Sequence, residues 1–227
     1  MKDLRIKRLT VTQYKWKRRD LTGDYNGFNH VYLRGGEVEF TDYVMTVETE
    51  AGITGEYSGG VGVSYAQVAM AAQYLIGKNA LEREKIWNDL KRALRKHDKF
   101  GMGPIDCALW DLRAKQSGIP AWRYAALPGL RPLTTVFTLG LGSESDTRRK
   151  ARAARGYPLL KLKCDADRHI DVVRWVREEH PTARIAVDAN QSWTRDLLER
   201  VLPPLAALGV EMVEQPVPRF EDAQLDG

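Results

Sequence analysis

The chain has 227 residues, 43% hydrophobic and 29% charged, the make-up of a globular protein with room for one large domain or two. No apolar run reaches the roughly eighteen residues of a membrane span, and MKDLRIKRLT lacks the apolar core of a signal peptide, so no membrane partner is expected and the cytoplasm is the expected compartment. A net charge of +5 and the basic run KWKRR at 15–19 attract anions, but no nucleic-acid-binding motif accompanies them; the run reads as a solvated face, with no nucleic acid as partner.

LRIKRLTVTQY at 4–14 alternates polar and apolar residues, the pattern of a half-buried strand, and a polar loop is expected over 15–29, where Gly23 and Gly27 fall. Residues 39–49 are rich in β-formers, Ala51 and Gly52 supply a turn, and 53–57 return, so the first sixty residues read as a small antiparallel sheet closed by Gly59 and Gly60. Three helices follow: 64–76 ended by Gly77, 81–97 with Ile86, Leu90 and Leu94 at helical spacing, and 104–116 ended by Gly118. Ile105, Ala108, Leu109 and Leu112 form one apolar stripe on the third, and Pro120 opens a short fourth helix. Leu127-Pro128-Gly129 marks the boundary, giving an α+β capping domain over 1–128 and a second domain over 129–227. Cys107 and Cys164 lack metal-ligand spacing and read as reduced core thiols.

Beyond the boundary, strands and helices alternate: TTVFTLG, helix 147–154, LLKLKCD, helix 168–179, RIAVDAN, helix 195–208, VEMVEQP. No hairpin turn separates the strands and each is apolar, which predicts parallel strands with right-handed helical crossovers. Such units build a doubly wound sheet or a (β/α) barrel, and LGLGSES lacks the full glycine spacing of a dinucleotide-binding turn.

Three consecutive strands end in polar residues: Lys161 and Lys163, then Asp188 and Asn190, then Glu214 with Gln215. Alternation lets these share one side, opposite Leu160, Leu162, Ile185 and Val187, and in a barrel the carboxyl-terminal mouth is where active sites form. Any one of these charges could be a solvated strand end or part of an internal ion-pair network. Four together form a costly group to desolvate, which points to function. Asp188 and Glu214 offer hard oxygen ligands suited to Mg2+ or another divalent cation. Beside them, Lys161 would lower the pKa of Lys163 and leave Lys163 as a base able to take a proton next to a carboxylate.

KLK at 161–163, VDAN at 187–190 and EQP at 214–216, behind a capping segment that contains GPIDCALWDLRAKQSGIP at 103–120, resemble the enolase superfamily, in particular its mandelate-racemase and muconate-lactonising members. The resemblance covers essentially the whole chain. It implies Asp188 and Glu214 as metal ligands, Lys163 as general base and Lys161 as its electrostatic partner, the lysine-and-Mg2+ chemistry known for that superfamily. It also implies a small-molecule carboxylate as substrate, with Asn190 beside the metal and Tyr25, Phe28 and His30 on a loop that closes over the mouth and helps select it. A homo-oligomer is expected. His97, His169 and His180 fall in or beside predicted helices and carry no assigned chemistry.

The chain departs from the family in one respect. A third acidic ligand and a second acid or base are expected on later strands, and residues 134–227 are well short of the ~250 of a complete barrel. The expectation is therefore an incomplete parallel barrel, truncated in mid-barrel, with impaired turnover. The implied reaction is a racemisation, epimerisation, cycloisomerisation or dehydration, all starting from the α-proton of a carboxylate. The alternatives are a non-catalytic remnant of such an enzyme and, less favoured, a Schiff-base lysine aldolase.

Overall fold

The computed structural model describes residues 3–23, 30–59, 65–94 and 102–225. These form two compact units, one made of Met1–Trp16 and Glu39–Arg131, the other of Lys17–Val38 and Pro132–Gly227.

β1 (Ile6–Gly23), β2 (His30–Thr49) and β3 (Thr54–Gly59) form one antiparallel sheet, in that order, and its residues up to Trp16 and from Glu39 onward belong to the first unit. Gly52, at φ +74, makes the turn between β2 and β3, whose register sets Val47 opposite Gly55. Met45 and Val47 point inward by strand alternation and are fully buried. They join α1 (Tyr65–Leu75), α2 (Arg83–Ala93) and α3 (Met102–Ser117) in one core, where the predicted stripe Ile105, Ala108, Leu109 and Leu112 is buried. Strand β3 lies close on α3: the Glu56 backbone N–H donates to Asp111 Oδ2 at 2.8 Å, and Lys115 pairs with both Asp111 and Glu56. A short α4 (Ala121–Tyr124) follows behind Pro120. Cys107 is exposed on α3, so its expected place in the core is corrected: the stripe faces the other way.

The loop expected at 15–29 is corrected over 15–23, and 24–29 lie outside the described residues. β1 continues to Gly23, and β2 starts at His30. The basic run behaves as strand because β2 carries its complement: Lys15 pairs with Glu39 and Lys17 with Glu37, both at 2.7 Å, Trp16 donates to Asp42 at 2.7 Å, and its ring stacks on Phe40. Opposite charges facing each other across strands favour pairing, each by less than ~1 kcal/mol when exposed.

In the second unit, β4 (Phe137–Leu139), β5 (Leu159–Lys163), β6 (Arg184–Asp188) and β7 (Val210–Glu214) lie side by side in chain order, all parallel. The crossovers are α5 (Glu144–Ala153), α6 (Ile170–Glu179) and α7 (Arg195–Ala207). Ser143 caps α5 by accepting from the Asp146 N–H, and Thr194 caps α7 by accepting from the Leu197 N–H. Leu160, Leu162, Ile185 and Val187 face these helices and are fully buried, each contributing ~1.5–3 kcal/mol of apolar burial. Four adjacent parallel strands with helical crossovers are what the alternating grammar predicts. Cys164 closes the same core, and burial pushes its thiol pKa up, so it stays protonated. The segment Val31 and Tyr32 docks beside β4 through the Tyr32 N–H to Leu141 O, at 2.7 Å. Among the described residues no helix is long and apolar enough to cross a membrane.

Candidate active site

The parallel register aligns the polar strand ends: Lys163 is level with Asp188, and Asp188 with Glu214. Because Leu160 and Leu162 occupy the helix side of β5, Lys161 and Lys163 emerge together on the opposite side. The Lys163 ammonium donates to Asp188 Oδ2 at 2.7 Å and also to Asn190 Oδ1. The Lys161 ammonium lies 3.0 Å from that same Asp188 oxygen and donates to Glu214 Oε2 and Oε1 at 2.9 and 3.1 Å. Asp188 is thus wedged between two ammoniums. Its side chain is 1% exposed, against 16% for Lys163, 20% for Lys161 and 36% for Glu214, so the cluster is sealed at Asp188 and open at Glu214.

Backbone geometry just past the strands completes the cluster. Asn190, Gln191 and Gln215 take positive φ, at +45, +65 and +45, a conformation asparagine tolerates better than most side chains. The turn lets the Asn190 N–H donate to Asp188 Oδ1 at 2.9 Å while its side chain meets Lys163. The Gln191 N–H is anchored on Gln215 O at 2.7 Å. Burial would raise the Asp188 pKa, but Lys163, Lys161 and the Asn190 N–H outweigh it and hold the carboxyl below its ordinary value. For Lys161, burial favours the neutral amine, and the carboxylates of Glu214 and Asp188 override it, raising the pKa. Placing Asp188 between the lysines replaces the bare ammonium–ammonium repulsion expected from the sequence with two attractive pairs.

Two carboxylates already share one cation here, the Lys161 ammonium, which is the relation a small divalent ion would have to them. Asp188 and Glu214 therefore fit Mg2+ as two oxygen ligands, with the remaining positions left to water and substrate. Among the described residues, no cluster of three or more histidine, cysteine, aspartate or glutamate side chains is arranged for a metal. Tyr25 and Phe28 lie outside the described residues, as does His97, and of His30 only the backbone at the start of β2 is described. His169 caps α6 by accepting from the Ile170 N–H, and His180 is buried against Tyr157 O; both are structural.

A cavity of about 260 Å3 within the second unit reaches Lys163, and its wall includes Arg18, Arg19, Tyr32 and Lys150. Sequence reading missed these residues by assigning 15–19 to a solvated face. The available signal was the acid spacing on β2, which answers Lys15 and Lys17 but, among the described residues, leaves Arg18 and Arg19 without a carboxylate.

Residues 36–124 match the family model described as the mandelate racemase / muconate lactonizing enzyme N-terminal domain, and 146–226 match the enolase C-terminal domain-like model. The chain belongs to the enolase superfamily. Within that superfamily it is 29% identical over 210 residues to the hydrophobic dipeptide epimerase of Citrifermentans bemidjiense, covering 88% of this chain and 56% of the relative. It is 30% identical over 200 residues to the L-Ala-D/L-Glu epimerase of Escherichia coli K12, covering 86% of this chain and 61% of the relative. Among solved structures it resembles the dipeptide epimerase of Enterococcus faecalis V583, crystallised with Mg and L-Leu-L-Tyr, at TM-score 0.78 and 25% identity, over 97% of this chain and 64% of that one. The chain thus spans little more than half the length of the curated relatives it matches.

Proposed function

We propose that this chain carries the proton-abstracting half of an enolase-superfamily active site, acting on a small-molecule carboxylate in the cytoplasm, with epimerisation or racemisation of an amino-acid derivative as the favoured outcome. The observation that carries the reading is the Lys161 ammonium held jointly by Asp188 and Glu214 while Lys163 sits on the same Asp188 oxygen, all at the ends of adjacent parallel strands. The relatives' names favour epimerisation, since both curated relatives act as epimerases, one named for hydrophobic dipeptides and one for an alanyl-glutamate.

Asp188 and Glu214 would hold Mg2+, which when bound supplies Lewis-acid stabilisation of charge developing on the substrate carboxylate. Lys163, as the neutral amine, takes the α-proton: the C–H bond breaks, an N–H bond forms, and the electron pair delocalises into the substrate carboxylate as an enolate. Lys161, cationic throughout, faces that charge and stabilises it. Asn190 accepts from Lys163 and fixes where its nitrogen points. Return of the proton to the opposite face needs a second acid, which none of these four groups supplies. Schiff-base chemistry at Lys161 is disfavoured because its carboxylate partners keep the amine charged.

The test is exchange of the α-proton for deuterium in heavy water with Mg2+, across N-acyl amino acids and dipeptides. The expectation is exchange with at least one class, reduced on the order of a hundredfold or more in Lys163→Ala. Exchange that survives Lys163→Ala, or no exchange with any class, as a non-catalytic remnant would give, refutes the proposal.

A further inference from the structure

The cavity that ends on Lys163 is walled by four cations, and three of them have no carboxylate partner among the described residues. Arg18 and Arg19 from β1 and Lys150 from α5 line it together with Lys163. Lys163 is answered by Asp188, and on the same ribbon Lys15 and Lys17 are answered by Glu39 and Glu37. Among the described residues Arg18, Arg19 and Lys150 have no carboxylate partner, and no aspartate or glutamate lines the cavity. The half-buried Lys150 has its ammonium 4.6 Å from the centre of the Tyr32 ring, a contact that orients the cation without neutralising it. Tyr32 is itself pinned, its hydroxyl accepting from the Gly140 N–H at 3.2 Å. Phe137, stacked on Tyr157, closes the wall with an apolar surface.

Unpaired cations gathered in a concave, partly apolar wall repel one another and gain most when an anion enters among them. These cations come from separate elements: Lys163 from the end of β5, Arg18 and Arg19 from β1, and Lys150 from α5. Arg19 shares its strand face with the buried Leu21, and both arginines keep an exposed side chain at the cavity wall. A volume of about 260 Å3 suits a small molecule with a short chain between two charged groups. A bulky apolar side chain placed there would strip water from three cations and return nothing for it.

We infer that the site takes a substrate with two carboxylates: one at the strand ends, next to the carbon that loses its proton, and a distal one held by Arg18, Arg19 and Lys150. The placement of the first carboxylate rests on the proton-abstraction reading above; the recognition of the second rests on the cavity alone. Arg18, Arg19 and Lys150 are then specificity-determining residues.

The test is titration calorimetry of the full chain, with Mg2+, against N-acetyl-L-glutamate and N-acetyl-L-glutamine, which differ by one charge at nearly constant shape. The diacid is expected to bind about tenfold more tightly, the margin of one charged hydrogen-bonded contact. That margin should collapse in Arg19→Gln and in Lys150→Gln, while binding of the glutamine derivative changes by less than about twofold. Neither substitution breaks an ion pair among the described residues, so unchanged melting temperatures serve as the folding control. Equal affinities for the two ligands, a preference that survives both substitutions, or no binding of either would overturn the inference. Exchange of α-protons without any charge preference would leave proton abstraction standing and refute the distal carboxylate; a charge preference without exchange would do the reverse.

Discussion

Lys161 holds the place of a cation. Its ammonium spans Asp188 and Glu214, and Asp188 in turn answers Lys163, so two positive and two negative side chains close into a neutral group around one sealed oxygen. Removing Asp188 leaves two partly buried ammoniums without their shared partner. Asp188→Asn is expected to cost about 1–3 kcal/mol at neutral pH. The sign of the pH dependence follows from the lowered Asp188 pKa: its contribution is complete above the ordinary carboxylate value of 3.8 and is lost as pH falls further, through the folded-state value. Melting curves of wild type and Asp188→Asn should therefore be well separated at pH 6 and converge as pH drops below about 4. A constant gap down to pH 2 would show that Asp188 is not held charged by the lysines. The composition of this cluster was legible in the sequence because strand parity and a constant strand-helix repeat fix which side chains share a side. The order of contacts was not. It depends on the positive-φ turn at Asn190 and on which carboxylate oxygen each ammonium meets, and neither leaves a mark in residue spacing.

Among the elements, β3 packs tightly on α3. A Cβ at Gly55 would run into the carbonyl of Ala108 and the side chain of Leu112, so the strand sits where only glycine fits. Gly55→Ala is expected to destabilise the protein by ~1–3 kcal/mol through overpacking, read as a lower urea midpoint at unchanged slope. A neutral effect would mean that strand and helix are not in direct contact. The helices and parallel strands were legible because apolar periodicity survives in a single sequence: the stripe from Ile105 to Leu112 and the alternation of LLKLK each name their own buried face. The far half of β1 was not legible. KWKRRDLTG is mostly polar, and its strand character comes from Glu37, Glu39 and Asp42 on a neighbouring strand, a partner that local composition cannot reveal. The same blind spot hid Arg18 and Arg19, which have no carboxylate partner among the described residues.

At the scale of the molecule, the first unit supplies an α+β core, and the second brings the four charged groups and the cationic cavity into one parallel sheet unit. Matches to both the N-terminal and C-terminal domain models agree with that division of labour. The cavity draws on Lys17–Val38, a segment remote in sequence from the strands it serves, which is why the family could be read from three short motifs while the cavity required the fold. The claim beneath both is that Asp188 and Glu214 act on one cation. Mn2+ binding to the full chain, followed by electron paramagnetic resonance, measures this directly. Wild type is expected to bind one ion per chain, and Asp188→Asn and Glu214→Gln are each expected to weaken it by at least about tenfold, since each removes a charged ligand. Binding that both variants retain at wild-type strength would contradict the shared site.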